Sequence, residues 1–261
     1  MQNGLAILRK YSLMILLLFV TTAVFSQTEI GVRFYTFRNQ FAKDVPGTLE
    51  MISKMGIKEV EGGGTFGLPE ADYKELLKKN NLTMISVGAD FSDLAKDPQK
   101  AVDEAKKYGA KYVVCFWIPH NGNEFTFDDA KNAVTVFNNA GKVLAANGLK
   151  FCYHAHGFEF RPYENGTLFD YMAKELNPAW ANFEMDVFWV KHSGQEPVAL
   201  LEKYPNRFLL ILLIFTFIII QLIQYYTYFP IILILNLYRA VTKSRLNRLN
   251  NSINNYKESS N

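Results

Sequence analysis

The sequence predicts an α/β fold in which a parallel sheet is wrapped by helices, and three observations carry the prediction. Short β-type apolar runs alternate with amphipathic helical stretches from Glu29 to Arg207. A small signature recurs where helices give way to strands: Gly56-Ile57-Lys58, Gly109-Ala110-Lys111 and Gly148-Leu149-Lys150. Imidazoles and carboxylates gather just after the apolar runs rather than being scattered along the chain.

The elements follow in order. Candidate strands are Ile30–Tyr35, Glu59–Glu61, Thr83–Val87, Tyr112–Trp117, Lys150–His154 and Asn182–Val187. Helical patterns lie near 44–55, 70–80, 98–108, 127–147, 167–175 and 197–204. Asp97-Pro98 supplies an N-cap and a first-turn proline, and Thr126 with Asp129 reads as a capping box. Each glycine of the recurring signature can take the left-handed conformation that stops a helix. Alternation of this kind gives about six β/α units of a (β/α)8 barrel or a doubly wound sheet. No glycine-rich phosphate loop follows the first strand, which disfavours a dinucleotide fold, and Gly62-Gly63-Gly64 reads as a flexible strand-to-helix loop.

The two ends differ from this body. Residues 1–26 read as a secretory signal peptide: Arg9 and Lys10, an apolar core from Leu13 to Val20, then Val24-Phe25-Ser26. The chain is therefore expected to be exported to the periplasm. Residues 27–207 form the partial barrel, and residues 1–207 carry 23 basic and 24 acidic side chains, a balance that argues against a nucleic-acid face. Residues 208–238 contain no charged side chain and read as a transmembrane-like helix, with possible membrane association through that segment. Residues 239–261 form a basic, Asn-rich tail expected to be disordered, on the cytoplasmic side if the preceding run spans. Cys115 and Cys152 fall in neighbouring candidate strands and are expected to be buried free thiols.

Ligand-type groups cluster at strand ends, which in a barrel share one face. Tyr35 and Arg38 follow the first strand, Glu61 ends the second, Asp90 follows the third and His120 the fourth. His154, His156 and Glu159 follow the fifth; Asp186, Trp189, Lys191 and His192 follow the sixth. All four histidines belong to this set. Glu159 and Asp186 sit among aromatics, where an unpaired carboxylate is costly and a cation or arginine would offset the cost. Glu184 stays unassigned, because it shares a side with Asp186 only if the strand is regular.

Three segments together resemble one known family: Ile30 to Arg38, Tyr153-His154-Ala155-His156 with Glu159-Phe160, and Met185-Asp186-Val187-Phe188-Trp189. They look like the sugar phosphate isomerase/epimerase family, with its xylose isomerase-like TIM barrel, over about residues 29–210. The resemblance implies a divalent metal (Mn, Mg, Co or Zn) held by Glu, Asp, His and Glu from the last four strands, with Glu159 and Asp186 as the first two ligands. It implies a small-molecule sugar substrate, isomerised or epimerised by proton transfer through an enediolate. Glu159 and His156 would carry the catalysis, and Arg38, Glu61, His120, His154, Trp189 and Lys191 would contact substrate. The pattern departs from the family in the seventh strand, where His-Leu-Lys-Asp is expected and Leu212-Leu213-Ile214-Phe215 stands. The third and fourth ligands are then missing, so the chain reads as C-terminally truncated or frameshifted, with little or no isomerase activity. Two alternatives remain: a membrane-tethered, non-catalytic sugar-binding or degenerate protein, and an AP endonuclease IV-like hydrolase, which the neutral body and few histidines disfavour.

Overall fold

Gly56, Gly109 and Gly148 have φ of 82°, 67° and 76°, so each recurring glycine does end its helix in the left-handed region. The chain enters a strand within a few residues each time. The protein is represented by a computed structural model, which describes residues 31–212. Strands β1 (Gly31–Arg33), β2 (Glu59–Gly62), β3 (Thr83–Gly88), β4 (Tyr112–Cys115), β5 (Lys150–His154), β6 (Ala181–Asp186) and β7 (Phe208–Leu212) form one sheet in chain order. Every neighbouring pair is parallel. Helices α1 (Val45–Lys54), α2 (Glu70–Lys79), α3 (Phe91–Lys96), α4 (Gln99–Tyr108), α5 (Phe127–Ala146), α6 (Leu168–Glu175), α7 (Val187–His192) and α8 (Pro197–Lys203) lie in the crossovers.

Among the described residues the sheet has seven strands rather than the six the alternation predicts. Residues 208–212, assigned by sequence to the start of a transmembrane-like helix, pair with β6, and Asp186 stands level with Leu212. The cause is compositional: a parallel strand covered on both faces needs an unbroken aliphatic run, as the start of a bilayer span does. Among the described residues no helix is long and apolar enough to cross a membrane. The remainder of the apolar run, the leader 1–26 and the tail 239–261 lie outside the described residues.

The sheet curls around its inner side chains. Glu61 on β2 comes close enough to Glu184 on β6 for the two carboxyls to perturb each other, and the Arg33 guanidinium ending β1 lies 3.8 Å over the Phe116 ring beyond β4. Neither contact can form across a flat sheet whose strands are spaced about 4.8 Å apart. On the outer face α5 contributes Phe137, packed at 4.9 Å on Phe151 and 5.2 Å on Tyr153. Cys152 and His154 alternate to the inner face. Cys115 is level with Tyr153, so Cys152 points the other way; both thiols are buried and free.

Local chemistry fixes the helix starts. The Thr126–Asp129 capping box forms, and Thr167 with Asp170 makes a second one at α6. At α4 the roles shift by one: Pro98 is the N-cap, and Asp97 Oδ1 accepts from the Gln99 amide at 3.3 Å. The glycine loop after β2 is pinned rather than loose. Phe66, at φ 53°, stacks on Phe41 at 4.1 Å and meets Phe34 and Tyr73 edge-on.

Candidate active site

Four buried ionisable side chains meet inside the curl in one continuous chain. Glu61 Oε2 accepts from Ser86 Oγ at 3.0 Å, and Arg33 Nε lies 3.3 Å from Oε1, near enough for charge attraction but without hydrogen-bond geometry. Glu61 neighbours Glu184, whose Oε2 lies 2.6 Å from His154 Nδ1. His154 Nε2 in turn faces Asp186 Oδ2 at 3.5 Å. Asp186 Oδ1 accepts the Phe188 and Trp189 amides at 2.9 and 3.4 Å, the N-cap of α7. His154 is fully buried, and Glu61, Glu184 and Asp186 are buried. Glu184 and Asp186 lie two apart on a regular strand end, so both reach inward.

Burial dominates the electrostatics. It pushes Glu61 up to about 8, with the Glu184 charge adding and Arg33 opposing. It pushes Glu184 up to about 7 and raises Asp186. It pulls His154 down to about 4 and His156 to about 3, the Arg33 charge contributing to both. Near neutral pH the imidazoles are therefore uncharged, and the Glu61–Glu184 pair holds a proton.

Glu159 belongs to a different layer. It lies in a 3-10 turn, Phe158–Phe160, and is buried. Its Oε1 accepts from Tyr153 OH, and its Oε2 accepts from the His156 and Gly157 amides at 3.2 and 2.9 Å. Tyr153 faces α5, so Glu159 braces the outer side of β5 while His154 serves the inner side. Burial raises its pKa against these hydrogen bonds. The structure thus pairs Asp186 with His154, and not with Glu159 as the resemblance implies. A run of sequence cannot reveal the Tyr153 hydroxyl reaching across six residues.

The other predicted residues divide. His156 lies 4.6 Å from His154 and 5.7 Å from both Trp117 and Trp189, with its Nδ1 buried and unpartnered. His120 stacks on Trp117 at 4.5 Å, its Nδ1 2.6 Å from the Ile118 carbonyl oxygen. Lys191 is not brought to the site. It pairs with Glu196 on the helical surface, because the buried side of α7 is formed by Val187 and Val190. His192 stacks on Phe188 in the same exposed region. Arg38, Tyr35 and Asp90 line an open cavity of 580 Å³ beyond β1–β4, with Arg33, Glu61, Phe116 and Trp117. Sequence reasoning gives no site role to Arg33, Ser86 or Trp117 and leaves Glu184 unassigned. A lone arginine ending an apolar strand was the available signal for the first.

Asp186 and His154 can be tested as metal donors. The Glu184 contact fixes the ring through Nδ1 and leaves Nε2 without a hydrogen bond, aimed at a carboxylate oxygen. A 3.5 Å gap suits two donors sharing one cation at about 2.1 Å each. The fit is that of a two-donor corner, since among the described residues no group of three His, Cys, Asp or Glu is arranged to hold a metal ion.

Comparison with known proteins places this geometry. No family model matches the sequence, and no curated protein does either. Among solved structures, a sugar phosphate isomerase/epimerase from Parabacteroides distasonis superposes with a TM-score of 0.61 at 26% identity, over 72% of this chain and 76% of that one. The IolI protein with a binding zinc atom superposes at 0.54 and 12% identity, over 70% and 72%. An AP endonuclease, family 2, from Brucella melitensis gives 0.55 at 13%, over 70% and 78%. The last two likenesses show the fold alone. The chain is thus a structural relative of the sugar phosphate isomerases/epimerases and of the xylose isomerase-like TIM-barrel proteins.

Proposed function

We propose that this chain is built for metal-assisted isomerisation or epimerisation of a sugar or sugar derivative. The observation that carries this reading is the buried Glu61–Glu184–His154–Asp186 chain at the ends of the strands. Asp186 Oδ2 and His154 Nε2 would hold the divalent ion, with Glu184 fixing the imidazole tautomer. When bound, such an ion polarises a carbonyl and acidifies the neighbouring C–H. Glu61 is the buried carboxyl of this chain that opens on the cavity, and its position suits it to exchange a proton with bound substrate. Glu184, beside Glu61, would then take up or return the proton. His156 stays neutral and offers its unpartnered edge to a substrate oxygen. Glu159 holds the turn that carries His156. The leader read in residues 1–26 goes with a periplasmic site of action.

Exchange of a substrate C–H with deuterated solvent tests the reading more sensitively than net turnover. Purified protein with Mn, Mg, Co or Zn should incorporate deuterium next to the carbonyl of at least one aldose or ketose, and a chelator should abolish it. Absence of exchange across a broad sugar panel would leave the second reading, a sugar-binding protein without turnover. One observation favours that second reading: Leu212 stands level with Asp186, in the strand where the resemblance expects an imidazole. Slow turnover is accordingly expected even if exchange occurs.

A further inference from the structure

The cavity beyond β1–β4 carries charges that sort into pairs and a remainder. Glu61 faces Arg33, Asp93 pairs with Lys100 at 2.8 Å, and Glu104 pairs with Lys107 at 2.7 Å. Arg38 and Asp90 line the same cavity and have no ion partner among the described residues. Arg38 spends one donor, its Nη1, on the Tyr35 carbonyl at 3.1 Å and lies 4.6 Å over the Tyr35 ring. The rest of its planar fork is uncommitted. Arg33 approaches the same ring at 5.5 Å, so two guanidiniums flank one aromatic side chain.

The remaining wall is suited to a hydroxylated chain. Tyr35 and Trp117 are large aromatics left 63% and 46% exposed beside the cavity, more than core packing would leave. The opposite side is backbone at Gly62, Gly63 and Gly64. A Cβ at Gly62 would meet Phe34 at 2.7 Å, and Gly64 has φ of 69°, so side chains are kept out of this stretch. The volume of 580 Å³ lies within the range of small-molecule sites.

We propose that this cavity binds a sugar acid, with its carboxylate on the Arg38 fork and its hydroxyls toward Asp90 and Glu61. A guanidinium matches a carboxylate bidentately. Asp90 accepts from hydroxyls, and the Tyr35 and Trp117 faces cover the carbon skeleton. A monoanion fits better than a phosphate dianion, because the Asp90 carboxylate lies in the same cavity and would repel the second charge. The placement gives the carboxylate to Arg38 and leaves Glu61, which faces Arg33, for the chemistry. The sugar skeleton rests on the reading of the preceding section; the anion site does not.

Binding decides this without any turnover. Calorimetry and ligand-observed NMR on the full chain would use three probes: D-glucuronate, D-glucose 6-phosphate and D-glucose. Glucuronate should bind about tenfold or more tighter than glucose, the scale of one charge-assisted pair. Arg38→Ala should erase that preference and leave glucose binding within about twofold, and Arg38→Lys should restore only part of it. Arg38 is exposed, so these variants should fold, and an unchanged melting curve checks that. Tighter binding of the phosphate than of glucuronate, equal binding of glucuronate and glucose, no binding of any probe, or an unaltered preference in Arg38→Ala would each overturn the proposal. Failure of deuterium exchange with sustained glucuronate binding would instead remove the catalytic reading and leave this one standing.

Discussion

Taking the metal-free protein from pH 6.5 to pH 8 should weaken it by about 2 kcal/mol, through the Glu61–Glu184 pair. In the unfolded chain both carboxyls titrate near 4.5, whereas burial moves them to about 8 and about 7 in the folded state. The folded protein therefore holds a proton that the unfolded chain has released. Stability from this source is full at low pH and is lost as pH rises through the folded values. One such proton changes stability by about 1.4 kcal/mol per pH unit, which over about 1.5 units gives the stated loss. His154 and His156 act in the opposite sense. Pulled from 6.5 to about 4 and about 3, they add stability as pH rises, until the unfolded imidazoles have lost their protons about one unit above 6.5, and this offsets part of the loss. The histidine contribution is common to wild type and a Glu61 variant, so the difference between the two isolates the carboxyl pair. Urea denaturation in chelator at both pH values, on wild type and Glu61→Gln, measures the effect. The amide cannot titrate, which leaves only Glu184 to release a proton in this window, so the variant should lose less than half as much. Identical pH dependence in the two proteins would refute the reasoning.

Two further substitutions probe the layers on either side of β5 and the metal corner. Tyr153→Phe removes the hydroxyl that donates to Glu159 and should cost about 1–3 kcal/mol, seen as a melting temperature lower by several degrees, with glucuronate binding retained. An unchanged melting curve would mean that Glu159 does not depend on that bond. Leu212→His places an imidazole level with Asp186, and zinc should then raise the melting temperature by about 3 °C or more beyond its effect on wild type. Equal shifts would show that the corner formed by His154 and Asp186 is not where the ion sits.

Much of the scaffold can be read from the sequence because local chemistry enforces it. Gly56, Gly109 and Gly148, and the Thr126–Asp129 box, mark boundaries that hold within a residue or two. The six-residue helices α3 and α7 escape, since so short a segment shows no clear period. β7 escapes for the opposite reason: its aliphatic run is a stronger signal than a strand needs, and hydropathy does not record whether helices or lipid cover it. At the site, position along the strand identifies His154, Asp186 and Glu61. What position cannot convey is which face a group serves after the turn. Glu159 follows β5 closely, yet its carboxylate is drawn to Tyr153 on the outer side. Arg33 is hidden for another reason, as its role comes from partners on β2 and beyond β4.

The alternation of Tyr153 and His154 divides the protein into two compartments one residue apart. Outward lies a mechanical joint, in which a phenol and a carboxylate lock a turn to a helix layer. Inward lies a buried polar chamber, in which carboxylates and an imidazole meet. A peptide backbone only one strand thick separates them, and they share no side chain. Substrate preference can therefore drift through the inner set while the outer joint keeps the barrel wall intact, so that new chemistry need not be bought with loss of the fold.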